Sequence, residues 1–240
     1  MKILVYPSPM EVIRSAAELF IDLAAKTLEQ GKLCTVLLSG GSSPKHLYEL
    51  LEAGYCDRID WSSLYFFFGD ERYVPFNDPQ SNGLMAKQTL FEPLHIEDDH
   101  IFYMNTSLPP EDAARDYAAK IQTHFKGGDI KFDIILLGLG DNSHTASLFP
   151  HTEVLHEKTA LVKELFIEEL QQYRITLTAP VINSARNVIF LVYGAGKAGA
   201  VNNIINGEKD IEQYPAQLIA PLDGQLFWVL DKAAAALLHG

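Results

Sequence analysis

The sequence predicts an α/β fold in which one open, mostly parallel sheet carries helices on both faces. Three observations point there. Runs of consecutive apolar residues at 34–38 (CTVLL), 64–68 (LYFFF), 132–137 (FDIILL), 188–193 and 226–230 have strand length without polar alternation, the pattern of strands buried on both faces. Segments with apolar positions at helical spacing alternate with these runs. No repeat, low-complexity stretch or linker interrupts the alternation, so the 240 residues are expected to form a single domain, 1–240.

The elements follow in order. Ser8 is an N-cap and Pro9 suits the first helical turn; Val12, Ala16, Leu19, Phe20, Leu23, Ala24 and Leu28 repeat on one face until Gly31 stops the helix. Strand 34–38 runs into Ser39-Gly40-Gly41-Ser42-Ser43-Pro44, whose proline opens a helix through Leu51. Strand 64–68 runs into Gly69-Asp70-Glu71-Arg72, and helices are expected over 81–91 and 111–125, the latter opened by Pro109-Pro110. Strand 132–137 leads into GLGDNSHTASLFP, residues 138–150. Strands at 174–178 and 188–193 come next, Gly194-Ala195-Gly196-Lys197 starts a helix toward Ile205, and a strand at 226–230 precedes a short helix at 232–238.

Composition narrows the function. With 19 Lys+Arg against 31 Asp+Glu the net charge is −12, so the global field repels polyanions and no nucleic-acid partner is expected; an anionic ligand needs a local cluster of cations. No apolar run approaches the ~20 residues that span a bilayer. The N-terminal MKILVYPSPM lacks a signal-peptide core, so a cytoplasmic protein without a membrane partner is expected. Cys34 and Cys56 fit neither a disulfide framework nor a zinc spacing. The histidines form no H-E-x-x-H pattern and no G-x-S-x-G elbow occurs, so neither a metal site nor a serine hydrolase is expected.

Ligands of open parallel sheets bind beyond the carboxyl ends of the strands, where loops and helix N-termini converge. Four polar segments sit at such ends. In Ser39–Pro44 the glycines Gly40 and Gly41 let the backbone approach a ligand, and Ser42 and Ser43 open a helix; alone, the segment reads more readily as a tight turn with a cap than as a phosphate cradle. In the next, Asp70 and Arg72 can polarise and grip an anion, or form an ordinary salt bridge. The third places His144 in a turn of small polar residues, where most lone histidines are simply hydrogen-bonded. The fourth, Gly194 to Gly199, matches G-x-G-x-x-G, but only 41 residues remain and no acidic residue ends a later strand, so a dinucleotide site is rejected; Lys197 at the helix start still seeks an anion. Arg174 and Arg186 either join that anion site or form structural ion pairs.

Together these segments resemble the 6-phosphogluconolactonase family over nearly the whole chain. SGGSSP, GDERYVPFNDPQSN, HTASLFP and RITLTAPVINSARNVIFLVYGAGKA match that family's blocks in order and spacing. The resemblance implies a modified Rossmann-like fold and hydrolysis of a sugar-phosphate lactone, 6-phospho-D-glucono-1,5-lactone, without metal or organic cofactor, by a monomer or small homo-oligomer. It implies His144 as general base, Asp70, Arg72 and Asn142 as its companions in the site, and Gly40, Gly41, Ser42, Ser43, Lys197 and Arg174 as substrate and phosphate binders. Neutral imidazole, with an ordinary pKa of about 6.5, suits deprotonation of an attacking water at neutral pH.

This chain departs from the family in one place: Asn142-Ser143-His144 stands where Asp-Gly-His is usual. An amide can orient the imidazole but supplies no charge, so a weaker base and slower turnover are expected, with Asp141 as a candidate substitute for the carboxylate. The related glucosamine-6-phosphate deaminases are the nearest enzymatic alternative. Their strand-end block typically reads Met-Asp-Glu-Tyr, against Gly69-Asp70-Glu71-Arg72 here, and their motif aspartate is Asn142. A sugar-phosphate-binding domain without turnover is the other alternative, but no segment remains for the DNA-binding module such regulators carry.

Overall fold

The structure, a computed structural model, describes residues 1–238, and His239 lies outside them. Its largest feature is a six-stranded, wholly parallel sheet made of β1 (Lys2–Tyr6), β2 (Cys34–Leu38), β3 (Leu64–Phe68), β5 (Ile134–Leu137), β8 (Asn187–Val192) and β9 (Gln225–Asp231). The strand order is β1-β9-β8-β5-β2-β3. Every residue of β2 and β5 is buried, so helices and loops cover both faces, and the Val/Ile/Leu/Phe runs follow from that burial. Flat stacking of Phe190 on Trp228, opposite each other in the register, and of Phe67 on Phe102 fills the space between layers.

Helices α1 (Pro9–Leu28) and α2 (Ser42–Tyr55) pack against each other beside the sheet. The α1 start is as the sequence predicts: Ser8 Oγ accepts from the Glu11 N–H, and Val12, Ala16, Phe20 and Ala24 are wholly buried. Asp133 fastens the other end of the sheet. Its carboxylate accepts from both the N–H and the hydroxyl of Thr35 and pairs with Arg186 Nε at 3.1 Å, while Asn187 donates to its carbonyl. Arg186 is therefore a structural partner and is absent from the site described below.

Leaving β3, the chain passes Gly69 and enters a second, antiparallel sheet of β4 (Asp70–Arg72), β6 (Val162–Ile167) and β7 (Gln172–Leu177), ordered β4-β7-β6. Gly69 links the two sheets: its N–H donates to Leu38 O and its carbonyl accepts from Leu177 N. The strand expected at 174–178 thus belongs to this second sheet, and β4 and β6 were not anticipated. Neither has a long apolar run; β6 reads VKELFI, buried only at its two ends, and β4 is three polar residues. Strand β1 was missed as well, because Ile3 and Val5 sit on a half-exposed edge.

The helix expected over 81–91 is α3 (Asn82–Ala86) followed by a π-helical turn at Lys87–Phe91, and that over 111–125 is α4 (Pro110–His124). A short α5 (Ala179–Asn183) precedes β8, and α6 (Ala198–Ile205) begins after a 3-10 turn at Ala195–Lys197. Residues 232–237 form successive turns and no helix, although alanine and leucine favour one. Asp231 takes the Ala234 N–H into its own turn at the start of the segment. Among the described residues no helix is long and apolar enough to cross a membrane.

Candidate active site

Strand order reverses between β2 and β5: the chain goes from β2 outward to β3 on one side, and from β5 outward to β8 and β9 on the other. Loops leaving such a pair diverge and open a crevice. The loops in question are Ser39–Pro44 and Gly138–Thr145, and a cleft of about 550 Å³ lies there. It is lined by His144, Asn142, Asp70, Arg72, Gly40, Gly41, Ser42, Ser43, Arg174 and Lys197, which brings together at one site every sequence-derived candidate except Arg186.

The loop after β2 is shaped by close approach. Ser39 Oγ donates to Leu136 O at 2.7 Å, tying β2 to β5, and the buried Tyr48 hydroxyl donates back to Ser39 O. A Cβ on Gly40 would lie 1.7 Å from Asn82 Oδ1, so only glycine fits there. Gly41 adopts φ +101° and caps α2 without a side-chain hydrogen bond, leaving the first amides of a 14-residue helix facing the cleft.

On β4 successive residues divide the work. Glu71 turns inward, accepting from the N–H groups of Arg72, Asn82 and Gly83 and from Ser81 Oγ, which pins the start of α3. Burial pushes its pKa up, against the pull of those backbone amides. Asp70 turns to the cleft, where Ser147 Oγ donates to its Oδ2 at 2.6 Å and Asn82 Nδ2 donates to its carbonyl. Arg72 is held by Gln80 O at 2.8 Å and sits directly opposite Arg174 in the β4–β7 register. Arg174 is 9% exposed and its Nε has no hydrogen-bond partner.

The loop after β5 presents the imidazole. Gly140 N donates to His144 O, Thr145 Oγ1 donates to Gly138 O, and the ring stacks on Phe149 at 4.1 Å with planes 12° apart. A Cβ on Gly140 would stand 2.0 Å from His144 Nδ1, so the ring lies over bare backbone. Asn142 Oδ1 lies 2.5 Å from His144 Nδ1 and 3.3 Å from the His144 N–H. A backbone N–H only donates, which assigns the oxygen to this side of the amide; Nδ1 then carries the proton, and Nε2 keeps its lone pair with no partner among the described residues. Burial lowers the His144 pKa to about 4, with Lys197, Arg174 and Arg72 adding to the depression and Asp70 opposing it.

Ser143, where the family has glycine, adopts φ +67° and is 2% exposed. Asp141 does not substitute for the missing carboxylate. Its Oδ1 lies 2.5 Å from Lys197 Nζ, while Asn142 holds the ring. The turn carrying Lys197 is fixed by Gly194, at φ +97°, whose N–H donates to the buried Asp231. Sequence reasoning singled out neither Asn82, Ser147, Gly140 nor Phe149 as individual contributors. Ser147 and Phe149 stood inside the HTASLFP block and Asn82 at the end of GDERYVPFNDPQSN, so the motifs contained the signal but not the contacts. Among the described residues no three side chains of metal-ligating type converge.

Residues 7–228 match the family model described as glucosamine-6-phosphate isomerases/6-phosphogluconolactonase. A 6-phosphogluconolactonase of Synechocystis sp. is 43% identical over 204 residues, covering 83% of this chain and 82% of its own. One from Bos taurus is 38% identical, covering 98% of this chain and 92% of its own. Among solved structures, 6-phosphogluconolactonase from Trypanosoma cruzi superposes with a TM-score of 0.89 at 30% identity, over 100% of this chain and 97% of that one.

Proposed function

The chain belongs to the glucosamine-6-phosphate isomerase/6-phosphogluconolactonase family, and from that membership we infer that it hydrolyses 6-phospho-D-glucono-1,5-lactone to 6-phosphogluconate in the oxidative pentose phosphate pathway. The observation that carries the mechanism is an uncharged imidazole, its Nε2 unpartnered, sharing one cleft with three cations, Arg72, Arg174 and Lys197. We assign the phosphate to Lys197 and the α2 amides beyond Gly41, with Ser42 and Ser43 beside it, and the lactone ring to the His144 end of the cleft.

In this reading His144 Nε2 takes a proton from water as its oxygen attacks the lactone carbonyl. The negative charge that develops on the carbonyl oxygen is met by Arg72 or Arg174. The tetrahedral intermediate collapses with cleavage of the bond to the ring oxygen, which takes the proton back from His144, and the new carboxylic acid ionises in water. Asn142 acts by fixing the tautomer, and Asp70 by favouring the imidazolium that forms transiently. Burial is the main cause of the depressed imidazole pKa, and a bound phosphate dianion offsets the smaller contribution of the cations, so substrate strengthens the base that acts on it. The residues 1–240 act as one catalytic unit in this scheme. We place it in the cytoplasm as a monomer or small homo-oligomer; Cys34 and Cys56 are free thiols, as a reducing compartment would keep them.

The test is an assay that oxidises 6-phosphogluconate as it forms, measured against the spontaneous decay of the lactone. The expected result is acceleration by the wild type and loss of most of it in His144→Ala, with 6-phosphogluconate still bound. Release of ammonia from glucosamine 6-phosphate, or binding of 6-phosphogluconate without acceleration, would overturn the assignment.

A further inference from the structure

The cleft contains one direct ion pair among its described lining residues, between Lys197 Nζ and Asp141 Oδ1 at 2.5 Å. Asp141 comes from the β5 loop at the switch point and Lys197 from the turn between β8 and α6. Their exposures are unequal: Lys197 is 28% exposed, whereas Asp141 is 78% exposed and makes no other charged contact. Of the carboxylates near the arginines, Asp70 is buried and held by Ser147 and Asn82, and Glu71 is buried and held by four donors, so neither is free to move aside. Among the described residues Arg72 and Arg174 make no ion pair, whereas the Lys197 ammonium is covered by an exposed carboxylate.

We propose that Asp141 is a built-in competitor for the phosphate group, occupying the Lys197 ammonium until a multiply charged ligand displaces it. The inference rests on the assignment of Lys197 to phosphate made above. Its chemistry is an exchange of one anion for another on a single cation. An exposed pair is a weak interaction, so a phosphate dianion, with additional hydrogen bonds available at the α2 amides, can displace it, whereas chloride and other single charges gain too little. The same competition assists departure of the product. The displaced carboxylate stays tethered nearby, where its charge repels a bound dianion.

Asp141→Asn keeps the side-chain shape and removes the charge. The expected result in calorimetry is about threefold to tenfold tighter binding of both inorganic phosphate and 6-phosphogluconate, together with a lower KM, whereas Asp141→Glu behaves as wild type. Measured in a Lys197→Met background, Asp141→Asn should tighten binding much less, because only the repulsion between the carboxylate and the dianion is left to remove. Unchanged or weaker binding in Asp141→Asn, or equal tightening with Lys197 absent, would refute the competition. A Lys197→Met protein that binds phosphate like wild type would instead remove the phosphate assignment itself.

Discussion

Replacing Gly140 by alanine tests whether the position of one ring carries the chemistry. The added Cβ would lie 2.0 Å from His144 Nδ1, 2.2 Å from its Cε1 and 2.9 Å from Asn142 Oδ1, where side chains do not approach closer than 3.0 Å. Gly140 has no positive φ, so the backbone itself accepts alanine and the strain falls on the imidazole and its amide partner. The ring must withdraw by about 1 Å, and a misplacement of that size costs on the order of 100-fold in rate, or about 2.7 kcal/mol of transition-state stabilisation. Withdrawal also disturbs the Asn142 contact and the stack on Phe149. The assay is kcat/KM for the lactone, corrected for spontaneous hydrolysis, with product binding and thermal unfolding measured alongside. If the effect passes only through the imidazole, Gly140→Ala in a His144→Ala background costs nothing further. Wild-type kcat/KM in a folded Gly140→Ala protein would refute the reasoning, as would losses that multiply in the double variant.

Other expectations concern protonation and strain. In the free protein the His144 imidazole, followed by NMR, should titrate near pH 4, with the midpoint in kcat lying higher because the bound phosphate raises it; a free-protein titration at the ordinary value near 6.5 would contradict the burial argument. Because the folded pKa is depressed, this residue's contribution to stability is full above about pH 6.5 and is lost as pH falls toward about 4, which acid unfolding of wild type against His144→Ala will reveal. Ser143→Gly should raise stability by about 1 kcal/mol, roughly 2–4 °C in Tm, by relieving a serine at φ +67°, and combined with Asn142→Asp it should raise turnover severalfold; no gain in turnover would mean that the amide is no handicap. Glu71→Gln would turn an amide NH2 toward two of the four donors, since each carboxylate oxygen accepts from two, and a loss of about 2–3 kcal/mol, read as a Tm lowered by roughly 5–10 °C, is expected.

The main sheet was legible because its inner strands are buried on both faces, and burial leaves a run of Val, Ile, Leu and Phe in the sequence that needs no context to interpret. The second sheet was not. Strand β4 exists because Gly69 hands the chain across and Arg174 and Thr176 offer a partner strand, a relation between residues more than 100 apart that no local pattern records. The same division holds in the cleft. His144, Asp70, Arg72 and Lys197 were visible as polar groups at strand ends, whereas the glycine beneath the ring and the asparagine behind Gly40 matter through distances of approach that only coordinates express. Asp141 was readable as a carboxylate near the histidine; that it would face the lysine was not.

The cross-strand placement of Arg72 opposite Arg174 also bears on how this protein tolerates change. Two guanidinium groups side by side, one of them almost wholly enclosed and lacking a partner for its Nε, cost the fold stability that an apolar pair at these positions would not. On the anion-binding roles proposed above for these arginines, drift toward a sturdier molecule runs against retention of the ligand, and a thermostabilised lineage that discarded either one would be expected to keep its shape while losing its grip on anions.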